Sequence, residues 1–291
     1  MRTLALALLA ALFTLGCRAE VSALDDSGHR VTLAAPATRV ISLAPHLTEM
    51  AFAIGAGNAV KGVIRFSDFP AAARALPVVA DAFALDFEAI ARLKPDLVLV
   101  WSSGLNERHK ARLRSLGLTL FESEIRKPEA IADTMRRLGV LLGKSAEAAR
   151  AAGDFEQAWQ SLRERHTGKP PLRVFWQLWS EPLMTVNREH LIGAALVACA
   201  ATNVFAELPL LTPTVAWEAA VAADPQLIVG SGGAQDSAQD FVRWRRFPQV
   251  SAVRRDQFAR IDGDLISRMG PRFVHGAAAL CEAVDRARKA P

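Results

Sequence analysis

Two carboxylates stand at matching places in a repeated segment of this chain. Residues 87–101 read FEAIARLKPDLVLVW and residues 217–231 read WEAAVAADPQLIVGS. Aligned without a gap, Glu88 falls on Glu218, Pro95 on Pro225 and Leu97 on Leu227, always 130 residues apart. Each glutamate opens a predicted helix, where the helix dipole favours a negative charge, and that accounts for either one alone. Their shared position points further, to two acidic knobs at opposite ends of one face, suited to basic pockets on a dimeric partner. Two-point attachment raises avidity through effective concentration. Two copies this far apart exclude a solenoid, whose periods run at roughly 20–50 residues, and imply two related lobes.

The other candidates lie in loops. Ligands of doubly wound sheets bind beyond the carboxyl ends of the strands. That places Ala44-Pro45-His46, Phe66-Ser67-Asp68-Phe69, Trp101-Ser102-Ser103, Gln177-Leu178-Trp179-Ser180 and Asp262–Arg268 at a cleft. Trp101 and Trp179 are expected to face each other there, with Phe66 and Phe83 nearby. Broad aromatic faces suit a flat, partly apolar ligand, although each tryptophan taken singly reads equally as a core residue. Asp264 and Arg268 are placed either to bind ligand amides or to form a surface pair. His46 is the one histidine in a predicted cleft loop; such a residue is more often a hydrogen-bonding group than a metal ligand.

Catalytic signatures are lacking. The chain has no GxSxG, P-loop, HExxH, HxxH or CxxC pattern and no GxGxxG leading into a helix, so no zinc or manganese cage is expected. It has no tyrosine, which removes phenolate ligation of iron or haem. The expectation is a protein that is not an enzyme and holds no metal or cofactor of its own.

These loops need a scaffold, and 291 residues suffice for two lobes with their own cores. Strands are predicted at 39–43, 60–63, 97–101 and 118–121, alternating with helices at 48–54, 86–93 and 106–116. Helices at 128–142 and 145–166 follow, the second long, amphipathic and free of proline. The theme then returns with strands 173–178 and 258–261, the second repeat copy at 217–231, and helices 191–200, 238–247 and 273–287. Helices alternating with buried, β-branched strands indicate parallel α/β sheets. The boundaries are an amino-terminal lobe at 24–143, a connecting helix at 144–167 and a carboxyl-terminal lobe at 170–291. A single helix of about twenty residues spans ~30 Å and resists hinge motion, so two nearly rigid lobes with a cleft between them are expected.

At the start of the chain, Met1-Arg2 and the apolar run Leu4–Leu15 have the form of a signal peptide covering residues 1–19, with cleavage between 16 and 23. The expected location is the periplasm. Thr14-Leu15-Gly16-Cys17 is an imperfect lipidation motif, leaving either a lipid anchor on Cys17 or a free mature chain. The remaining cysteines, Cys199 and Cys281, form either a disulfide favoured by export or two buried thiols. A net charge of +5, from 35 basic and 30 acidic residues, is too mild to suggest nucleic acid as a partner.

The segments RVISLAPHLTEMAFAIGAG, FSDFP, LDFEAIARLKPDLVLVW, GLNERHKARLRSLG, ACAATNVF and DLISRMGPR before ALCEAV together resemble the class III periplasmic substrate-binding proteins of ABC importers, most closely their cobalamin-binding members. The similarity runs from about Arg39 to the carboxyl terminus. It implies a monomeric, non-catalytic receptor: two α/β lobes on a rigid helix, delivering a small molecule to a membrane permease. By that resemblance Glu88 and Glu218 match carboxylates presented to permease arginines, and Cys199 and Cys281 match the family's disulfide. Phe66 and Trp101 match aromatic positions of a corrin site, and Asp264 with Arg268 match polar ligand contacts. The chain departs from the pattern at Ala82 and Thr212, where tryptophans are expected, and at Leu178, where phenylalanine is; Phe83 and Trp179 are the candidate replacements. The implied ligand is cobalamin or a related corrinoid, with haem or a ferric siderophore as alternatives and a metallocluster enzyme on the same scaffold as a remoter one.

Overall fold

Apolar, β-branched runs alternate with amphipathic ones along the chain, and in the computed structural model they form two parallel sheets. Residues 20–232 and 241–289 are described. The expected signal segment with Cys17, and the first residues of the helix predicted at 238–247, lie outside them.

A hairpin of β1 (Val21–Leu24) and β2 (Arg30–Leu33) leads in. The first lobe follows as β3 (Val40–Ser42), α1 (Pro45–Ala53), β4 (Val60–Ile64), β5 (Val78–Ala80), α2 (Phe87–Arg92), β6 (Leu97–Trp101), α3 (Glu107–Ser115) and β7 (Leu120–Ser123). Its strands lie in the order β5-β4-β3-β6-β7, all parallel. The order reverses between β3 and β6, so the loops leaving those two strands diverge and open a crevice. Helices α4 (Pro128–Leu141) and α5 (Ser145–His166) then lead into the second lobe.

That lobe comprises β8 (Leu172–Gln177), a small hairpin of β9 (Trp179–Ser180) and β10 (Leu183–Met184), α6 (Leu191–Ala198), β11 (Ala201–Asn203), α7 (Trp217–Ala222), β12 (Leu227–Gly232), α8 (Ser251–Arg254), β13 (Phe258–Asp262), α9 (Gly263–Ile266) and α10 (Phe273–Lys289). Its sheet runs β11-β8-β12-β13, again parallel. The repeated segment forms the same unit twice, α2 into β6 and α7 into β12.

The lobes share a core. One apolar cluster takes Leu47 and Met50 from α1, Met135 and Leu138 from α4, Phe155 and Trp159 from α5, and Leu196, Phe273 and Leu280 from the second lobe. Trp159 lies against Phe273 with ring centroids 6.0 Å apart. Burying each such side chain stabilises the fold by about 1.5–3 kcal/mol. Separating the lobes would expose many of them at once. At the end of α5, His166 is bonded to the Leu162 carbonyl and to Asp285 of α10, which fixes the helix to the second lobe. Cys199, at the carboxyl end of α6, and Cys281 of α10 form a disulfide within that lobe.

Several elements differ from expectation. Helix α1 starts at Pro45 rather than Thr48, because proline at the first helical position brings a helix-ready φ and lacks only an unneeded donor. His46 therefore belongs to a helix and not to a loop. The described part of 238–247 forms no α-helix; Trp244–Arg246 make a short 3-10 turn. Pro248 disfavours a helical Phe247, and Trp244 is anchored by core packing and a bond to Gln177. The predicted strand 118–121 lies two residues later, and β9, β10 and β11 were not foreseen in these positions.

Candidate functional site

The carboxyl ends of the two sheets face each other, and the loops leaving them meet at an ion-pair network. Its centre is Glu49 on α1, whose side chain is only 2% exposed. Arg268, which follows α9 in the second lobe, donates to Glu49 Oε1 at 3.1 Å and to Asp68 Oδ1 at 2.7 Å, and pairs with Asp264 at 2.8 Å. Arg272 donates to both oxygens of Glu49, at 2.9 and 2.6 Å, and its guanidinium lies 4.0 Å from the centre of the Phe69 ring. Partial burial raises the Asp68 carboxyl, but the hydrogen bond and charge of Arg268 outweigh it and hold the group below the usual carboxylate range. Burial opposes the charge on Arg268, and its bonds to Asp68 and Glu49 more than restore it. Gly270 sits at this joint: a Cβ there would come 3.4 Å from Glu49 Oε2 and 3.6 Å from His46.

Three large aromatic side chains stand exposed on segments that follow β4, β5 and β8. Phe66 is 72% exposed, Phe83 92% and Trp179 62%, an arrangement that folding alone disfavours for residues of this size. Phe66 has φ of 67°, a left-handed conformation costly for a bulky residue and characteristic of positions held for function. Phe83 is held outward by a turn in which Asp81 accepts from the Phe83 and Ala84 amides. Trp179 is steadied by its indole N–H bonding the Glu181 carbonyl at 2.9 Å. Leu178 is half-buried and packs on the main core rather than standing free. Ala82 is exposed and Thr212 half-buried.

Trp101 occupies the floor instead of the rim. It is half-buried, meets His46 edge-on at 6.1 Å, and lines a chamber of about 130 Å³ between the lobes with Glu124, His190, Leu211 and Met269. The chamber falls below the roughly 300 Å³ of ordinary ligand pockets and is too small to enclose a ligand of the expected size. His46 is buried and pushed down to about 3 by burial; His190, on the second lobe, is pushed down to about 4 for the same reason. Both imidazoles are neutral at ordinary pH. His46 Nε2 and Trp101 Nε1 are buried without hydrogen-bond partners.

The loop carrying Ser102 and Ser103 is braced from below. Glu122, buried on β7, accepts from Ser102 and from Lys110 at 2.9 and 2.8 Å, and from Arg114. A second cavity, about 740 Å³, opens on the flank of α5 between Arg126, Lys127, Trp159, Arg163 and Val197, away from the exposed aromatics.

Glu88 and Glu218 both fall in the first turns of their helices, exposed, on α2 and α7. In each α-then-β unit the helix runs back along the strand, so its amino end lies at the cleft side of the sheet. Glu88 has only a loose contact with Arg92 at 3.8 Å, with both side chains exposed.

The structure thus brings together Asp264 and Arg268, with His46 and Trp101 close by, and sets Phe66, Phe83 and Trp179 outward as separate aromatics without a ring partner among the described residues. Glu49 and Arg272 have no site role in the sequence reading, and Asp68 and Phe69 enter it only as members of a cleft loop. Glu49 reads there as an ordinary start-of-helix acid. The available signal was the pair of arginines in Arg268-Met269-Gly270-Pro271-Arg272, two fixed cations on a loop after the last strand, which demand carboxylates from elsewhere.

Residues 40–265 match the model of a family described as periplasmic binding protein. A vitamin B12-binding protein of Vibrio cholerae serotype O1 is 34% identical over 254 residues, covering 87% of this chain and 91% of the relative. That of Pectobacterium atrosepticum is 32% identical over 258 residues, covering 87% and 90%. The solved periplasmic vitamin B12 binding protein of Vibrio cholerae superposes with a TM-score of 0.79 at 33% identity, over 87% of this chain and 99% of that one. A periplasmic haem-binding protein from Roseiflexus shares the fold, with a TM-score of 0.76 at 21% identity. Two parallel sheets and a core shared between the lobes agree with these matches: the chain belongs to the periplasmic binding protein family, the non-enzymatic solute-binding components of ABC importers.

Proposed function

We propose that the chain captures cobalamin or a related corrinoid in the interlobe cleft and delivers it to a membrane permease. The observation that carries this reading is the exposure of Phe66, Phe83 and Trp179 on segments that follow β4, β5 and β8, in a chain 34% identical to vitamin B12-binding relatives. A corrin offers broad apolar faces to such side chains and amide arms to Asp264 and Arg268. The tryptophans expected at Ala82 and Thr212 are missing, and Phe83 and Trp179 supply the aromatic surface in their place.

Glu88 and Glu218 are the proposed contacts with a permease dimer, each placed where its carboxylate is solvent-exposed and free to meet an arginine. Export by the segment 1–19, with or without a lipid on Cys17, is part of the same reading. So is a monomeric receptor divided at 24–143, 144–167 and 170–291. Among the described residues no helix is long and apolar enough to cross a membrane.

A haem is the second reading, and His46 favours it: a neutral imidazole with a free Nε2 is a ready axial ligand for a metallotetrapyrrole. Its burial beneath Gly270 counts against that role, since the ring would have to leave its packing. A ferric siderophore has no comparable support. Titration of the mature protein with cyanocobalamin, hemin and a ferric hydroxamate, followed by tryptophan quenching, decides between them. Saturable binding of cyanocobalamin at micromolar or lower concentration is expected. Binding of hemin alone, with a Soret shift lost in His46→Ala, would replace the corrinoid reading.

A further inference from the structure

The floor of the cleft contains two guanidiniums and three carboxylates, and their arrangement is one-sided. Arg268 is enclosed by Glu49, Asp68 and Asp264, while Arg272 is taken up by Glu49 through two bonds. Arg74 approaches Asp68 from outside, but it bonds the backbone carbonyl and stays exposed. Neither floor guanidinium is left without a carboxylate. Glu49 is the shared member: buried, touching both arginines, and contributed by the opposite lobe.

Resting on the corrinoid reading above, we infer that Glu49 sets the charge preference of the cleft, so that it accepts a tetrapyrrole whose arms are amides and rejects one whose arms are carboxylates. An amide oxygen accepts from an Arg268 N–H that remains paired to Asp68, and an amide N–H donates to Asp264, with no ion pair broken. A carboxylate arm must either compete with Glu49 and Asp68 for Arg268 or lie beside them unpaired. Like charges brought together at a partly desolvated surface are strongly disfavoured. Glu49 acts through Arg268 and Arg272, and is a positioning residue rather than a ligand contact.

Two corrins that share a ring and differ in their arms test this: dicyanocobinamide, with amide arms, and dicyanocobyrinic acid, with free carboxylates. Calorimetric titration of the mature protein is expected to give cobinamide an advantage of about tenfold or more, and Glu49→Gln is expected to shrink that ratio by about tenfold, by tightening the acid. A residue with only a structural role would weaken both corrins together and leave the ratio alone. Should Glu49→Gln fail to fold, Asp68→Asn takes its place, since that side chain is 42% exposed and leaves the Glu49 pairs intact. It is expected to shift the ratio the same way by about threefold. Binding of both corrins with an unchanged ratio in the variant overturns the role of Glu49 and leaves the corrinoid reading standing. Binding of neither corrin by the unaltered protein overturns the corrinoid reading and this inference with it.

Discussion

Glu49 and Arg272 join the two lobes by a pair of hydrogen bonds, 2.9 and 2.6 Å long, between residues 223 positions apart in the chain. The carboxylate is buried and the guanidinium lies at the edge of the cleft against Phe69, so the pair is a clamp on the cleft's width as well as a charge balance. Breaking a buried pair from one side is strongly destabilising, because the remaining charge stays desolvated. Arg268 still reaches Glu49 when Arg272 is removed, which limits the damage. Arg272→Ala is therefore expected to lower unfolding free energy by about 2–3 kcal/mol in urea titrations. Arg272→Lys should recover little of it, since an ammonium cannot reproduce the two-bond fork. A full recovery by lysine would show that charge alone matters here.

The two buried histidines make stability depend on pH. His46 and His190 are held near 3 and 4 in the fold by burial, against an ordinary value of 6.5. Well above pH 6.5 both rings are neutral whether the chain is folded or not. Between 6.5 and the folded values the unfolded chain binds protons that the native chain does not, so stability falls as pH falls. The slope reaches about 1.4 kcal/mol per pH unit for each histidine. Urea midpoints measured from pH 7.5 to 5 are expected to drop, and His46→Gln should remove roughly half of the drop. An unchanged pH dependence in that variant would assign the acid sensitivity to other groups.

What the sequence made legible follows from how local each signal is. The repeat, the long helix Ser145–His166 and the strands at 97–101 and 258–262 are written in apolar periodicity and punctuated by proline and glycine, and they appear where expected. Glu49 is the opposite case. Its neighbours Thr48 and Met50 are buried helix residues like it, and nothing nearby in the chain announces that two arginines more than 200 positions away will enclose it. Pro45 before His46 reads in sequence either as a turn or as the first residue of a helix, and the fold takes the second. The hairpin of Trp179–Ser180 and Leu183–Met184 is too short for a period to register in sequence.

The disulfide between Cys199 and Cys281 closes a loop of 82 residues, covering most of the second lobe. A crosslink of that span restricts the unfolded chain by about 4–5 kcal/mol in the chain-entropy account. Reduction, or Cys199→Ser with Cys281→Ser, is expected to lower stability by an amount of that order. Ligand affinity under native conditions should change little, because Cys199 ends α6, Cys281 lies within α10, and neither takes part in the Glu49 network. A reduced protein that melts with the oxidised one would indicate that packing of α6 on α10 already supplies the constraint.

Glu88 and Glu218 lend themselves to a test that separates docking from binding. Both are exposed on the first turns of equivalent helices, and neither touches the cleft network. If they engage arginines of a permease dimer, removing one should weaken attachment and removing both should abolish it, since each contact raises the effective concentration of the other. The double variant Glu88→Ala, Glu218→Ala is expected to retain wild-type ligand affinity and thermal stability while failing to support uptake in a strain that depends on this receptor. The single variants should each retain partial uptake, with losses that deepen as salt rises, because exposed ion pairs are screened. Loss of ligand affinity in the double variant would instead move these carboxylates into the binding site, and wild-type uptake would leave the repeat as a record of lobe symmetry without a docking role.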